Sequence, residues 1–199
     1  MTKMSKILNK ILILLLLVTA LMGLSLEQEF NMFTEEQYSI AIQSYGLGEP
    51  FGMGYTMAAI AWQESSSGTF LLNMNDPSAG VFANYIPSVL ARHGIKDTQR
   101  NRNIMAQKLM NSIDLSAAEA LSELEYWKSI HGESSWPLLW QSYNGGFSYK
   151  SPGTSEYINS IEYSNDIRDK VHFLQKNLFT ITNFWTKNNR TKLLWTKLN

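Results

Sequence analysis

The chain has 199 residues, 44% of them hydrophobic and 17% charged, with 17 basic side chains, 17 acidic ones and no cysteine. Those values predict a folded protein with a substantial core, and they exclude chain-wide disorder, a disulfide framework, a thiolate nucleophile and a cysteine-based metal site. A formal charge of zero supplies no global field for nucleic acid, which is not expected as a partner.

The N-terminus reads as an export segment. Lys3, Lys6 and Lys10 precede ILILLLLVTALMGLSL, and the small residues Gly23 and Ser25 stand where a signal peptidase cuts before Leu26, so residues 1–25 are expected to be a secretory signal. An uncleaved membrane anchor is the alternative, because the apolar run of Ile11 to Leu26 approaches the ~17 to 25 residues that span a bilayer. Both readings place the body of the protein outside the cytoplasm, in the periplasm or cell envelope. The anchor reading adds association with the membrane. A helical domain is expected over 26–180 and a basic tail over 181–199.

Thr34-Glu-Glu-Gln37 has the form of a capping box, and Tyr38, Ala41, Ile42 and Tyr45 follow at helical spacing before Gly46 and Gly48. After the turn-rich GLGEPFGMG, a second helix is predicted from about Met53, with Met53, Met57, Ile60 and Ala61 on its apolar face. The next member of that series is Glu64, near the helix end because serines and a glycine follow. Ser65 to Val81 reads as a loop. PSVLARHG predicts a short helix from Pro87 to Gly94, and Asp97 is expected to cap another through Ile104, Met105 and Leu109. Ser116 with Glu119 forms a second capping box, opening a helix through Leu121, Leu124 and Trp127 to His131-Gly132. Trp136-Pro137 starts a helix that LLWQSYNGG carries to Gly145 and Gly146, and Tyr157, Ile161, Ile167, Val171, Leu174 and Leu178 mark the last. With no alternating strand pattern, the fold class is mostly α, a single helical domain. From Lys170 onward the charges are all basic and are joined by Trp185 and Trp195. That end suits an anionic polymer or a membrane surface, or is a helix end with a solvated tail.

Chemistry concentrates at Glu64. The histidines, His93, His131 and His172, lie far apart with no HExxH pattern, and no phosphate-binding glycine pattern occurs, so neither metal nor cofactor is expected. His93 and His131 each precede a glycine at a helix end, where an imidazole complements the dipole. A carboxyl on an apolar helix face has a raised pKa and holds a proton near neutral pH, as a general acid must. A salt bridge to Arg92, Arg100 or Lys108 is the structural alternative. The following loop offers the Ser78 hydroxyl, backbone amides at Ala79-Gly80, and the rings of Phe82 and Tyr85. SYNGG adds Tyr143 and Asn144 beside two glycines. One carboxylic acid with a phenol, amides and aromatic faces is what a sugar polymer requires.

In this order, AIAWQESS around Glu64, SAGVF at Ser78 to Phe82, SYNGG at Ser142 to Gly146 and TSEYI at Thr154 to Ile158 resemble the soluble-type lytic transglycosylase (SLT) domain, related to goose-type lysozyme. The resemblance extends over about Thr34 to Ile167. It implies a lysozyme-like α fold that cleaves the murein (peptidoglycan) of the cell wall, with Glu64 as the sole catalytic carboxyl and Ser65 supporting it. It places Ser78, Gly80 and Phe82 on a substrate loop, Tyr143 and Asn144 on a tyrosine motif, and Tyr157 on the last aromatic motif. The family loop usually runs Gly-Leu-Met-Gln or Gly-Leu-Phe-Gln. Here Gly80-Val-Phe is followed by Ala83, so the amide contact to substrate falls to Asn84 if it is made.

The function implied is a lyase-type cleavage of the bond between N-acetylmuramic acid and N-acetylglucosamine, with an anhydro product. Peptidoglycan strands are the expected partner, and secretion-apparatus or envelope proteins are further candidates. Two rivals stand beside it. One is a hydrolytic muramidase, a glycosidase in the ordinary sense, in which Asp76 helps Glu64 by positioning water; a turn-forming role for Asp76 before Pro77 is the alternative there. The other is a non-catalytic wall-binding or assembly protein, favoured by Ala83.

Overall fold

The computed structural model describes residues 24–73 and 76–196, with side chains as far as 179. The expected export segment lies outside the described residues except for its last two positions. Among the described residues, no helix is long and apolar enough to cross a membrane. By internal packing the chain divides into two units, Met1–Phe33 and Thr34–Asn199.

The described part of the first unit is one short helix, α1 (Leu26–Asn31). Ser25 caps it: Gln28 N donates to Ser25 Oγ at 3.2 Å while Ser25 N donates to Gln28 Oε1 at 3.0 Å. Phe30 and Phe33 pack ring to ring, 5.1 Å apart.

The second unit is mostly α. Its first helix, α2 (Glu35–Gly48), begins with the predicted box, Gln37 N donating to Thr34 Oγ1 and Thr34 N to Gln37 Oε1. It does not stop at Gly46 but runs on to Gly48, where a Cβ would stand 2.8 Å from the Met53 carbonyl oxygen. The absence of that carbon lets α2 lie tightly against α3 (Gly54–Ser65), after a 3-10 turn at Glu49–Phe51. From Met57 to Trp62 every side chain of α3 is buried. Three alanines keep this helix thin enough to be surrounded, so it forms the axis of the core rather than one of its walls.

After α3 the chain enters a three-stranded antiparallel sheet, β1 (Leu72–Asn73), β2 (Ser78–Ala79) and β3 (Asn84–Tyr85), in that order. Leu72 faces Ala79 and Ser78 faces Tyr85. Strands of two residues hold no alternation to detect, which is why the sequence shows a loop here. Four helices follow: α4 (Ile86–Arg92), α5 (Gln99–Asn111), α6 (Ile113–His131) and α7 (Trp136–Gly145). A 3-10 segment, Gly146–Lys150, leads to α8 (Ser155–Thr196), whose backbone carries helix into the stretch expected as a tail.

Two expected caps are corrected. Thr98, not Asp97, caps α5 by accepting from Asn101 N at 3.2 Å. Asp97 instead holds Arg102, with Arg102 Nη2 2.6 Å from Oδ2. Ser112, not Ser116, caps α6, accepting from Leu115 N at 3.1 Å. Ser116 and Glu119 therefore lie inside the helix and are buried there. The apparent box is a polar face turned inward. Ser116 Oγ accepts from Asn84 Nδ2 at 2.8 Å, and the Ser116 carbonyl accepts from the same nitrogen at 3.0 Å.

Gly80 fits this joint for two reasons. Its φ is +86°, and a Cβ there would overlap Ser116 Oγ and stand 3.0 Å from the Leu109 carbonyl oxygen. Gly80→Ala is expected to destabilise the fold by about 2 kcal/mol or more, from backbone strain and overlap together. Thermal or urea unfolding measures this directly. A control at Gly46, which has open space around it, should lose no stability on substitution by Ala.

Candidate functional site

Glu64 lies in the last turn of α3, and the chain reverses immediately after it. Ser66, Ser67 and Gly68 are all left-handed, with φ of 47°, 51° and 88°. Such a run is costly unless it is held in place. Here Ser65 Oγ donates to the Ala61 carbonyl at 3.0 Å and accepts from Gly68 N at 2.8 Å. Gln37 Nε2 reaches over from α2 to the Ser66 carbonyl at 2.8 Å. Ser65 thus supports Glu64 by fixing the helix end, from a fully buried position away from the cleft.

The carboxyl stands where two adjoining cavities meet, one of about 380 Å³ and one of about 210 Å³. Both are lined by Glu64, Asn73, Ser78 and Ala83. Asp76, Asn84, Tyr85, Arg92, Tyr143 and Asn144 complete much of the larger, and Phe70, Leu72 and Gly80 much of the smaller. Burial pushes the Glu64 carboxyl up from 4.5 to about 7; the Tyr163 hydroxyl tempers that rise and the Asp76 charge adds to it. The C-terminal end of α3 works in the same direction, because exposed helix carbonyls disfavour an anion. Tyr163 faces the carboxyl from α8, yet its hydroxyl closes no hydrogen bond of ordinary geometry. Its influence on Glu64 is therefore that of a nearby dipole. Among the described residues, no Lys or Arg pairs with Glu64.

Arg92 lines the larger cavity, but it is paired with two other carboxylates. Its Nε donates to Glu119 Oε2 at 3.1 Å and its Nη1 to Glu123 Oε2 at 2.7 Å. His93 Nε2 lies 2.5 Å from Glu119 Oε1, and Trp127 Nε1 donates to Glu123 Oε1 at 2.8 Å. Ser116, Glu119, Glu123 and Trp127 are spaced three, four and four residues apart, so one face of α6 supplies the whole network. His93 therefore contacts a buried carboxylate rather than only facing a helix end, while His131 bonds Ser142 at 2.8 Å and stacks on Trp127.

Tyr143 donates its hydroxyl proton to the Phe82 carbonyl at 2.8 Å. Burial, then the charge of Glu64, pushes its phenol well above the usual value, so it stays neutral. Phe82 itself is fully buried, and its carbonyl rather than its ring serves the site, by holding Tyr143. Ser78, Gly80, Tyr143 and Asn144 line the cavities, and Ser65, Phe82 and Tyr157 do not. Asn84 does line the larger cavity, but both protons of its amide are directed at Ser116. Asp76 is exposed on the same cavity, and its carbonyl also accepts from Ser78 N at 2.8 Å, closing a turn. Sequence reading missed Asn73, Ser88, Glu123 and Tyr163. Tyr163 stands one turn before Ile167 on the apolar face of α8, a signal that was available.

No family model matches the chain, and no solved structure matches it. The chain is 33% identical over 128 residues to an uncharacterized 20.7 kDa protein in the vs-regB intergenic region of Enterobacteria phage T4. That stretch is 63% of this chain, and it spans 65% of the length of the phage protein.

The raised carboxyl makes stability depend on pH. An unfolded glutamate titrates near 4.5 and the folded Glu64 near 7. The stabilising contribution is therefore complete below pH 4.5, is lost as pH rises toward 7, and stays lost above it. Glu64→Gln is expected to match the wild type near pH 4 and to exceed it at pH 8 by on the order of 3 kcal/mol. Denaturant unfolding at the two pH values checks this. Equal stability at both would contradict a buried, protonated Glu64.

Proposed function

We propose that the protein is a peptidoglycan lytic transglycosylase, with Glu64 acting first as acid and then as base. The observation that carries this reading is the position of one carboxyl, with a pKa of about 7, where two adjoining cavities meet. A strand lying across both would present a glycosidic bond to the proton. Glu64 gives that proton to the bridging oxygen, the bond from the anomeric carbon of the N-acetylmuramic acid to that oxygen breaks, and positive charge spreads over the anomeric carbon and the ring oxygen. The C6 hydroxyl of the same sugar then attacks the anomeric carbon, and the Glu64 carboxylate takes the hydroxyl proton. A 1,6-anhydro ring forms, no water is consumed, and Glu64 ends as it began. The substrate's own N-acetyl oxygen can shield the cation, so a second protein carboxylate is not required. A pKa near 7 serves both directions of transfer at neutral pH.

The neutral Tyr143 and the Ser78 hydroxyl supply polar contacts for sugar hydroxyls, and Tyr85 and Phe70 expose ring surface on the larger and the smaller cavity. This reading takes the protein to the periplasm or cell envelope, where its polymer is. The exposed Asp76 carboxylate on the larger cavity favours a second reading, hydrolysis, in which it positions a water.

Digestion of purified peptidoglycan separates the two. Anhydro-muramic ends are expected, and reducing ends would replace this proposal by the hydrolytic one. Glu64→Gln should lower turnover by about 100-fold or more, whereas Asp76→Asn should leave it within a few-fold. The wild-type rate should fall as pH rises above about 7, since the proton needed for the first step is then lost. Walls that bind but are never cleaved would point to a binding protein instead.

A further inference from the structure

A third cavity, of about 420 Å³, shares no residue with the two at Glu64. It opens at the other end of α3, where Gly54, Tyr55 and Thr56 line it. Ten residues of helix separate Gly54 from Glu64, which places the two regions about 15 Å apart. Its size falls within the range of small-molecule sites.

The lining is aromatic on its walls and polar at its edge. Tyr45 and Tyr55 pack edge to face with centroids 4.8 Å apart, and Trp136 leans on Trp140 at 5.9 Å. Trp140 is buried and spends its indole proton on Thr56 Oγ1 at 3.3 Å, so it forms a wall. Trp136, Tyr45 and Tyr55 are half-buried and keep ring surface within reach. Glu49, His172 and Gln175 are exposed and supply a carboxylate, an imidazole and an amide. Among the described residues no Lys or Arg lines the cavity, which argues against a phosphate or another anion. Rings that stack on C–H faces, beside both donors and acceptors, match the alternating surface of a pyranose. A quaternary ammonium would also be held by rings and a carboxylate, but would leave the His172 and Gln175 donors without purpose.

The geometry points to a second carbohydrate site here, one that holds an N-acetylated pyranose of a polysaccharide away from the bond being cleaved. It extends the glycan reading of the Glu64 cleft to a second part of the polymer. An enzyme acting on an insoluble strand would stay attached through this site while the cleft releases product.

The test is titration calorimetry with the trimer of N-acetylglucosamine, in the full chain carrying Glu64→Gln so that nothing is turned over. Two sites are expected. Adding Trp136→Ala should remove one, weakening it about ten-fold or more, and Gln175→Ala, an exposed change that should not disturb folding, should weaken the same site measurably. Trp136→Phe should restore much of the binding. If the glycan reading of the Glu64 cleft is wrong while this inference is right, one site is seen at the start and Trp136→Ala removes it. An isotherm that neither Trp136→Ala nor Gln175→Ala alters would overturn the inference. So would a Trp136-dependent site that takes choline and not the sugar.

Discussion

The cost of removing one carboxyl from water is the constraint around which this molecule is organised. Glu64 occupies the end of a helix that is buried from Met57 to Trp62, and it receives no counter-charge among the described residues. A charge in that position is unfavourable, and the group answers by keeping its proton. The phenols of Tyr143 and Tyr163 share the same dry surroundings and are held neutral by burial and by the carboxyl beside them. Glu64 and the two phenols thus form a proton-bearing cluster within a cavity whose other wall carries the Arg92–Glu123 ion pair.

That cluster is held from outside, because no ion pair anchors Glu64, Tyr143 or Tyr163 among the described residues. The support comes from two directions. Behind Glu64, Ser65 and Gln37 hold three consecutive left-handed residues, so that the helix ends sharply at the cleft and does not fray into it. On the far wall, α6 presents Ser116, Glu119 and Glu123 in register. Ser116 fixes the strand carrying Asn84 and takes up the space beside Gly80, while the two glutamates hold Arg92 from α4. The partition of charge matters: the arginine that could have neutralised Glu64 is occupied by other carboxylates. Ion pairing in one wall leaves the Glu64 carboxyl without a charged partner among the described residues.

The helices were legible because their signals are local. The Thr34 box, the apolar series ending in Glu64, the Gly132 stop and the Trp136-Pro137 start each depend on residues within one or two turns. The position of Glu64 followed from that periodicity alone. What the sequence did not display depends on contacts between distant segments. Ser116 and Glu119 have the spacing of a capping box, and only their burial against Asn84, Arg92 and His93 shows that they serve the interior. The sheet escaped for lack of length, since two residues cannot alternate. Asn84 offers an amide on the cavity side of its strand by sequence, yet its amide protons are turned to Ser116, a fact that no spacing conveys. Ser65 and Phe82 act indirectly, Ser65 through its hydroxyl at the helix end and Phe82 through its carbonyl, with neither side chain lining the cleft.

The proposed acid chemistry requires Glu64 to hold a proton at neutral pH, and the most direct test is to titrate that carboxyl itself. Carbon-13 NMR of glutamate side chains in the wild type, with Glu64→Gln used to assign the resonance, gives its midpoint. A value of about 7 is predicted. A midpoint near the 4.5 of an exposed glutamate would contradict the account, because Glu64 would then be an ordinary anion at neutral pH with no proton to donate.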